Sequence, residues 1–144
     1  MPPRTTRFLS IAALSVAATL GACAAPSVAP EPLEGSEWRL QSIAGQPVLP
    51  QPAATLAFAP NVQVEGQGSC NRFSGTVEIR QDRLTFGPMI STKMACPGGG
   101  SEQESRYLGA LRKAQRYEVQ GDTLLIHAQG LDQPLRFVRT APRK

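Results

Sequence analysis

The chain is poor in the side chains most often used for chemistry. It has one histidine, His127, in 144 residues. A metal centre needs clustered His, Cys or carboxylate ligands, so no metal site is expected. A Ser–His–Asp triad would have to use His127, and no G-x-S-x-G elbow leads into a helix. Gly66-Gln67-Gly68 lacks the further glycine, or the Gly-Lys-Ser/Thr ending, of a phosphate loop. No cofactor is implied. Paired carboxylates stay open as an enzymatic reading. They would come from Glu37, Glu65, Glu78, Asp82, Glu102, Glu104, Glu118, Asp122 and Asp132, most of which fall on solvent faces, in turns or at a helix start. The expectation is a protein that is not an enzyme. Aromatics are also scarce, at 6%. Trp38 stands alone at the start of an apparent strand, WRLQSI, and reads as a core or end-plug residue with its N–H satisfied. A sugar site would need companion aromatics.

Long hydrophobic runs are absent except at the start. Arg4 and Arg7 precede an uncharged stretch from Phe8 to Leu20 rich in Ala, Leu, Ile and Val. About a dozen apolar residues are too few to span ~30 Å of hydrocarbon, and this basic-then-apolar order marks an export signal. Leu20-Gly21-Ala22-Cys23 resembles the bacterial lipobox, in which the cysteine is acylated and becomes the mature N-terminus. Residues 1–22 are therefore expected to be a signal peptide. Cys23 is expected to carry two or three acyl chains, enough to hold the protein on a membrane. Ala24, by resemblance to Gram-negative sorting patterns, favours the outer membrane, with the domain facing the periplasm. Cleavage removes Arg4 and Arg7, leaving 13 basic against 11 acidic residues, a net of +2. That balance does not point to nucleic acid as a partner.

Three cysteines less Cys23 leave Cys70 and Cys96. In an oxidising compartment a remaining pair usually closes. The loop of about 27 residues would contribute roughly 3–4 kcal/mol by restricting the unfolded chain. Two buried free thiols are the alternative.

Residues 23–34 hold Pro26, Pro30 and Pro32 with small residues, and only Val28 and Leu33 are large and apolar. This reads as a lipidated tether, with a domain over 35–140. Within the domain the dominant period is two. Leu56/Phe58, Val62/Val64, Val77/Ile79, Leu84/Phe86, Leu124/Ile126 and Leu135/Phe137 alternate with largely polar neighbours, as half-buried antiparallel strands require. Short turns at 59–61, 81–82, 121–122 and 129–133 separate them. His127 falls on the side away from Leu124 and Ile126. One segment, 101–115, has helical spacing. Ser101 and Glu104 spell a capping box, and Arg112, Lys113 and Arg116 sit near the expected C-terminus. The fold class is mostly β: a small antiparallel sheet curled into a sandwich or open barrel with one helix packed on it.

Several pieces together resemble the META domain family, also called HslJ-like. They are Trp38-Arg39-Leu40, the 66–75 stretch GQGSCNRFSG, the 92–96 stretch TKMAC, E-x-x-Y-L-x-A-L over 104–111, Gly121-Asp122-Thr123-Leu124, and Leu135-Arg136-Phe137. Ser69 departs from the pattern, standing where a second glycine commonly precedes the cysteine. The resemblance implies a β-rich fold with one helix and a bacterial envelope location, with loose association to stress and antibiotic tolerance. It implies no enzymatic activity. Within the shared motif, Gly66, Gly68 and Gly75 permit positive φ or close backbone approach, and Asn71 can bond the local backbone. With Thr92, Cys70 and Cys96 this reads as a structural staple. The alternative is a small polar ligand site formed by Asn71, Arg72 and Thr92.

The expected function is that of a non-enzymatic envelope lipoprotein, held to the membrane through Cys23, that binds or stabilises another envelope component of unknown identity. The alternatives are a carrier of a small apolar ligand or secretin-pilot-like lipoprotein, and a hydrolase.

Overall fold

The structure, a computed structural model, describes Met1 and residues 30–140. The signal peptide, Cys23, the start of the tether and residues 141–144 lie outside the described residues. Alternation becomes strand where the inward side chains have a common interior to bury against. The strands are β1 (Glu37–Ile43), β2 (Gln46–Pro47), β3 (Thr55–Ala59), β4 (Gln63–Gln67), β5 (Arg72–Arg80), β6 (Arg83–Ser91), β7 (Ala114–Gln120), β8 (Thr123–Ala128) and β9 (Leu135–Arg139), with helix α1 (Gly100–Leu111) between β6 and β7. All pairings are antiparallel, in the order β1-β3-β4-β5-β6-β7-β8-β9. β9 then pairs back to β1, with Trp38 opposite Arg139 and Leu40 opposite Phe137. The sheet is therefore an eight-stranded closed barrel, and β2 is a short addition beside β1. Closure leaves a thin seam, because β6 and β7 share one ladder pair, Arg83 with Arg116.

An eight-stranded barrel has room inside for side chains and little else. Trp38, Leu56, Val64, Leu84, Leu124, Ile126, Leu135 and Phe137 are all within 1% of full burial and fill it. Helix α1 closes one mouth. Its buried stripe is Gln103, Glu104, Tyr107, Leu108, Ala110 and Leu111, the three-and-four spacing of one helix face. Tyr107 reaches into the barrel between opposite walls, 5.9 Å from Phe73 on β5 and 6.1 Å from Phe137 on β9 by ring centroids. Its hydroxyl donates to the Thr55 carbonyl at 3.1 Å.

Leu33 closes the other mouth at 1% exposure. The sequence places this residue in the tether. The structure seats it as an end plug, with the Ser36 N–H on its carbonyl at 3.0 Å. Tyr117 Oη donates to the Glu31 carbonyl at 3.2 Å, and Arg139 pairs with the Glu31 carboxylate at 2.5 Å. Trp38 is the buried residue its sequence position implied. Its Nε1 donates to Ser36 Oγ at 2.6 Å, and the Arg139 guanidinium lies 4.3 Å from its ring centre.

Three details differ from the sequence reading. The helix stops at Leu111 rather than running to 115. Lys113 N–H donates to the Ala110 carbonyl to close the turn, and Ala114 already pairs with Ala128 as the first residue of β7. Val62 lies in the β3–β4 turn at φ 56°, 62% exposed, so the alternation there begins one step later at Val64. Ile79, near the barrel rim, is only partly covered.

Candidate functional site

Helix α1 begins at Gly99 with φ 80° and no side-chain cap. The expected capping box does not form. Glu104 turns away from its own helix and into the 68–71 loop between β4 and β5. Its Oε2 accepts from the N–H groups of Cys70 (3.0 Å) and Asn71 (2.5 Å), and its Oε1 accepts from Asn71 Nδ2 at 2.9 Å. A carboxylate holding several amides is a strong fastening, because charged acceptors roughly double the strength of a hydrogen bond. Gly68 makes the approach possible: a Cβ there would lie 2.5 Å from Glu104 Oε2.

Asn71 relays the fastening to the segment after β6. Its Oδ1 accepts from Met94 N–H at 2.6 Å and from the Thr92 hydroxyl at 3.0 Å. Thr92 Oγ1 in turn accepts from Arg72 N–H at 3.2 Å. The Cys70–Cys96 disulfide, with Cα atoms 5.7 Å apart, spans the same gap. Ser69 has φ 100°, a conformation that suits glycine. Its hydroxyl accepts from Gln103 Nε2 at 2.5 Å, while Gln103 Oε1 accepts from Leu49 N–H at 2.6 Å. Ser69 is thus held in this conformation by a partner on the helix. No buried side-chain polar atom among the described residues lacks a partner.

The three residues of the expected polar site separate. Asn71 is 7% exposed and is consumed inside the staple. Arg72 and Thr92 line a groove of about 440 Å³ on the outer wall of the barrel, over β1 and β3 to β6. Gly66 forms part of its floor, and a Cβ there would lie 2.1 Å from the Thr55 carbonyl oxygen and 2.8 Å from the Phe73 ring. Gly66 and Gly68 therefore serve by close approach and not by positive φ. Sequence reasoning named Glu104 as a helix cap and Ser69 as a departure from the motif, and gave neither them nor Gln103 a place in the staple. Glu104 and Asn71 do both stand within the family-like segments, which is the signal that could have joined them.

Groups that titrate are few. His127 Nε2 and the Glu118 carboxylate lie 2.9 Å apart, with Arg116 on the same carboxylate at 2.9 Å. Partial burial pushes the Glu118 carboxyl up, and the contacts with His127 and Arg116 outweigh it, leaving it below its ordinary value. Burial raises Tyr107 well above the ordinary phenol, and burial with nearby Asp82 and Glu31 raises Tyr117. Among the described residues no group of three or more His, Cys, Asp or Glu is placed to hold a metal ion, and no helix is long and apolar enough to cross a membrane.

An eight-stranded antiparallel barrel, plugged by one helix and stapled across its rim by a disulfide and a buried Glu–Asn pair, defines a small β-barrel module. The META domain model matches residues 31–142, and the chain belongs to the META domain family. Two NMR structures are similar. A protein from Burkholderia xenovorans matches at 24% identity and TM-score 0.64, over 84% of this chain and 98% of that one. A second protein matches at 23% and 0.61, over 74% and 90%. The crystal structure of a duf4847 family protein from Bacteroides vulgatus matches at 13% and 0.53, over 78% and 96%. At these identities the likeness is one of fold. No curated protein matches the chain.

Proposed function

We propose that this META domain protein is an exported, non-catalytic lipoprotein of a bacterial envelope. It is cleaved before Cys23, anchored there by acyl chains facing the periplasm, and binds or stabilises another envelope component. The observation that carries this reading is the polarity of the barrel. The chain leaves towards Cys23 from the mouth plugged by Leu33, where Glu31 is tied to Tyr117 and Arg139. The helix, the disulfide and the largely exposed 92–99 segment lie at the other mouth. Eight residue-to-residue steps lead from Cys23 to Glu31, a reach of at most ~29 Å at full extension. A lipidated Cys23 would keep the plugged mouth towards the membrane and present the stapled mouth to partners. The polar side chains that could serve chemistry are engaged in holding the fold, Glu104 on three amide donors and His127 on Glu118. The barrel interior is occupied by Trp38, Tyr107 and Phe137, which leaves the apolar-carrier reading without an obvious chamber.

Crosslinking in cells tests the proposal. Wild-type chain is expected to enrich a defined envelope protein, and Cys23→Ser, which cannot be acylated, is expected to lose that enrichment. Equal, empty captures from both would overturn it.

A further inference from the structure

The pairing registers put one outward-facing row across five strands: Glu37 opposite Ala57, Ala57 opposite Glu65, Glu65 opposite Ser74, and Ser74 opposite Ile90. Four inter-strand spacings make this row roughly 19 Å wide. Ala57 and Ser74 are small, so the outer wall sinks between the longer side chains around them into the 440 Å³ groove. That volume lies within the ~300–1,000 Å³ range of small-ligand sites. Ile90, 74% exposed, forms an apolar side wall.

The charges in the groove are held apart. Arg72 pairs with Gln67 and Glu65 with Ser74, so Arg72 and Glu65 are diagonal neighbours, with Cα atoms about 7–8 Å apart. No ion pair joins them or engages either one among the described residues. The staple fixes the backbone beneath: Arg72 N–H donates to Thr92 Oγ1, the Thr92 hydroxyl donates to Asn71, and Asn71 is held by Glu104. The Arg72 guanidinium and the Glu65 carboxylate, unpaired and separated by one diagonal on a rigid floor, match a ligand carrying one charge of each sign, and the Glu37 carboxylate on the far side of Ala57 adds negative charge at the ammonium end.

We propose that this groove binds a short dipolar peptide of two to four residues, its ammonium end at Glu65, its carboxylate end at Arg72, and small apolar side chains against Ala57 and Ile90. An extended peptide advances about 3.3 Å per residue, so two or three residues bridge the two charges. This inference does not rest on the anchor at Cys23, and the crosslinking that tests the anchor is blind to it.

The test is an NMR titration of the isotope-labelled full chain in detergent with trialanine bearing free ends, beside N-acetyl-trialanine amide. Free trialanine is expected to shift the amide signals of Glu65, Arg72, Ser74 and Thr92 and to saturate at millimolar concentration. The capped peptide is expected to bind at least about tenfold more weakly, and Glu65→Gln or Arg72→Gln about fivefold more weakly than wild type, with thermal midpoints unchanged. Absence of shifts, equal binding of capped and free peptide, or wild-type affinity in both variants would each overturn the proposal.

Discussion

Replacing Glu104 by Ala removes the one acceptor that serves three donors in the 68–71 loop. The Cys70 and Asn71 backbone N–H groups and Asn71 Nδ2 would all lose their partner at once. Glu104 is only 8% exposed, so water replaces it poorly. Each hydrogen bond to a charged group contributes about 1.5–3 kcal/mol, and a stranded buried donor costs about 1–3 kcal/mol. Allowing for overlap between these, the expected loss is about 4 kcal/mol, a large fraction of the ~5–15 kcal/mol that holds an ordinary domain. At roughly 4 °C per kcal/mol for a domain of this size, the thermal midpoint should fall by about 15 °C. Glu104→Gln should cost less, about 1–3 kcal/mol. It keeps two acceptor bonds but sets its own amide against Asn71 Nδ2, donor facing donor. Urea denaturation of both variants with the disulfide intact measures this. A Glu104→Ala loss below about 1 kcal/mol, the range of an exposed residue, would refute the assignment of Glu104 as the loop's anchor.

Four further outcomes are expected. Leu33→Ala should destabilise the domain by about 2–4 kcal/mol in the same urea assay, whereas a tether residue would have no effect. Gly68→Ala should cost about 1–3 kcal/mol in thermal melts, because the new methyl group meets the Glu104 carboxylate at 2.5 Å. Reducing the Cys70–Cys96 disulfide should lower stability by about 3–4 kcal/mol, read as the shift in urea midpoint with and without reductant. Tyr107 and Tyr117 are raised above 10.0. A raised group contributes stability below its unfolded value and loses it as pH rises through the folded one, so the domain should weaken above pH 10. Absorbance titration should then show Tyr107, the more strongly raised of the pair, ionising only as the chain unfolds.

The local pattern was legible because it is local. Leu56/Phe58, Leu124/Ile126 and Leu135/Phe137 announce half-buried strands, and the turns at 81–82 and 121–122 announce hairpins. Closure was not legible, since the β1–β9 pairing joins residues about a hundred positions apart and leaves no mark within either strand. Ala114 and Gln115 fit a helical stripe as well as a strand, and tertiary pairing with β8 decided between them. Ser-x-x-Glu spells a capping box, but the same carboxylate bonds a loop over thirty residues away, a choice that only the folded geometry reveals. The disulfide was one of two open readings of Cys70 and Cys96, and the structure has the bond. The groove depends on register across five strands, so Arg72 and Thr92 could be named from their motif while Glu65, Ser74 and Ile90 could not.

The proposed function requires an acyl anchor at Cys23 on a domain stapled through Cys70 and Cys96. The most direct measurement is the intact mass of protein extracted from membranes, with thiol alkylation before and after reduction. A chain beginning at Cys23, carrying two or three acyl groups and taking up two alkyl groups only after reduction, is the predicted result. An unacylated chain, or two thiols alkylated without reduction, would contradict it.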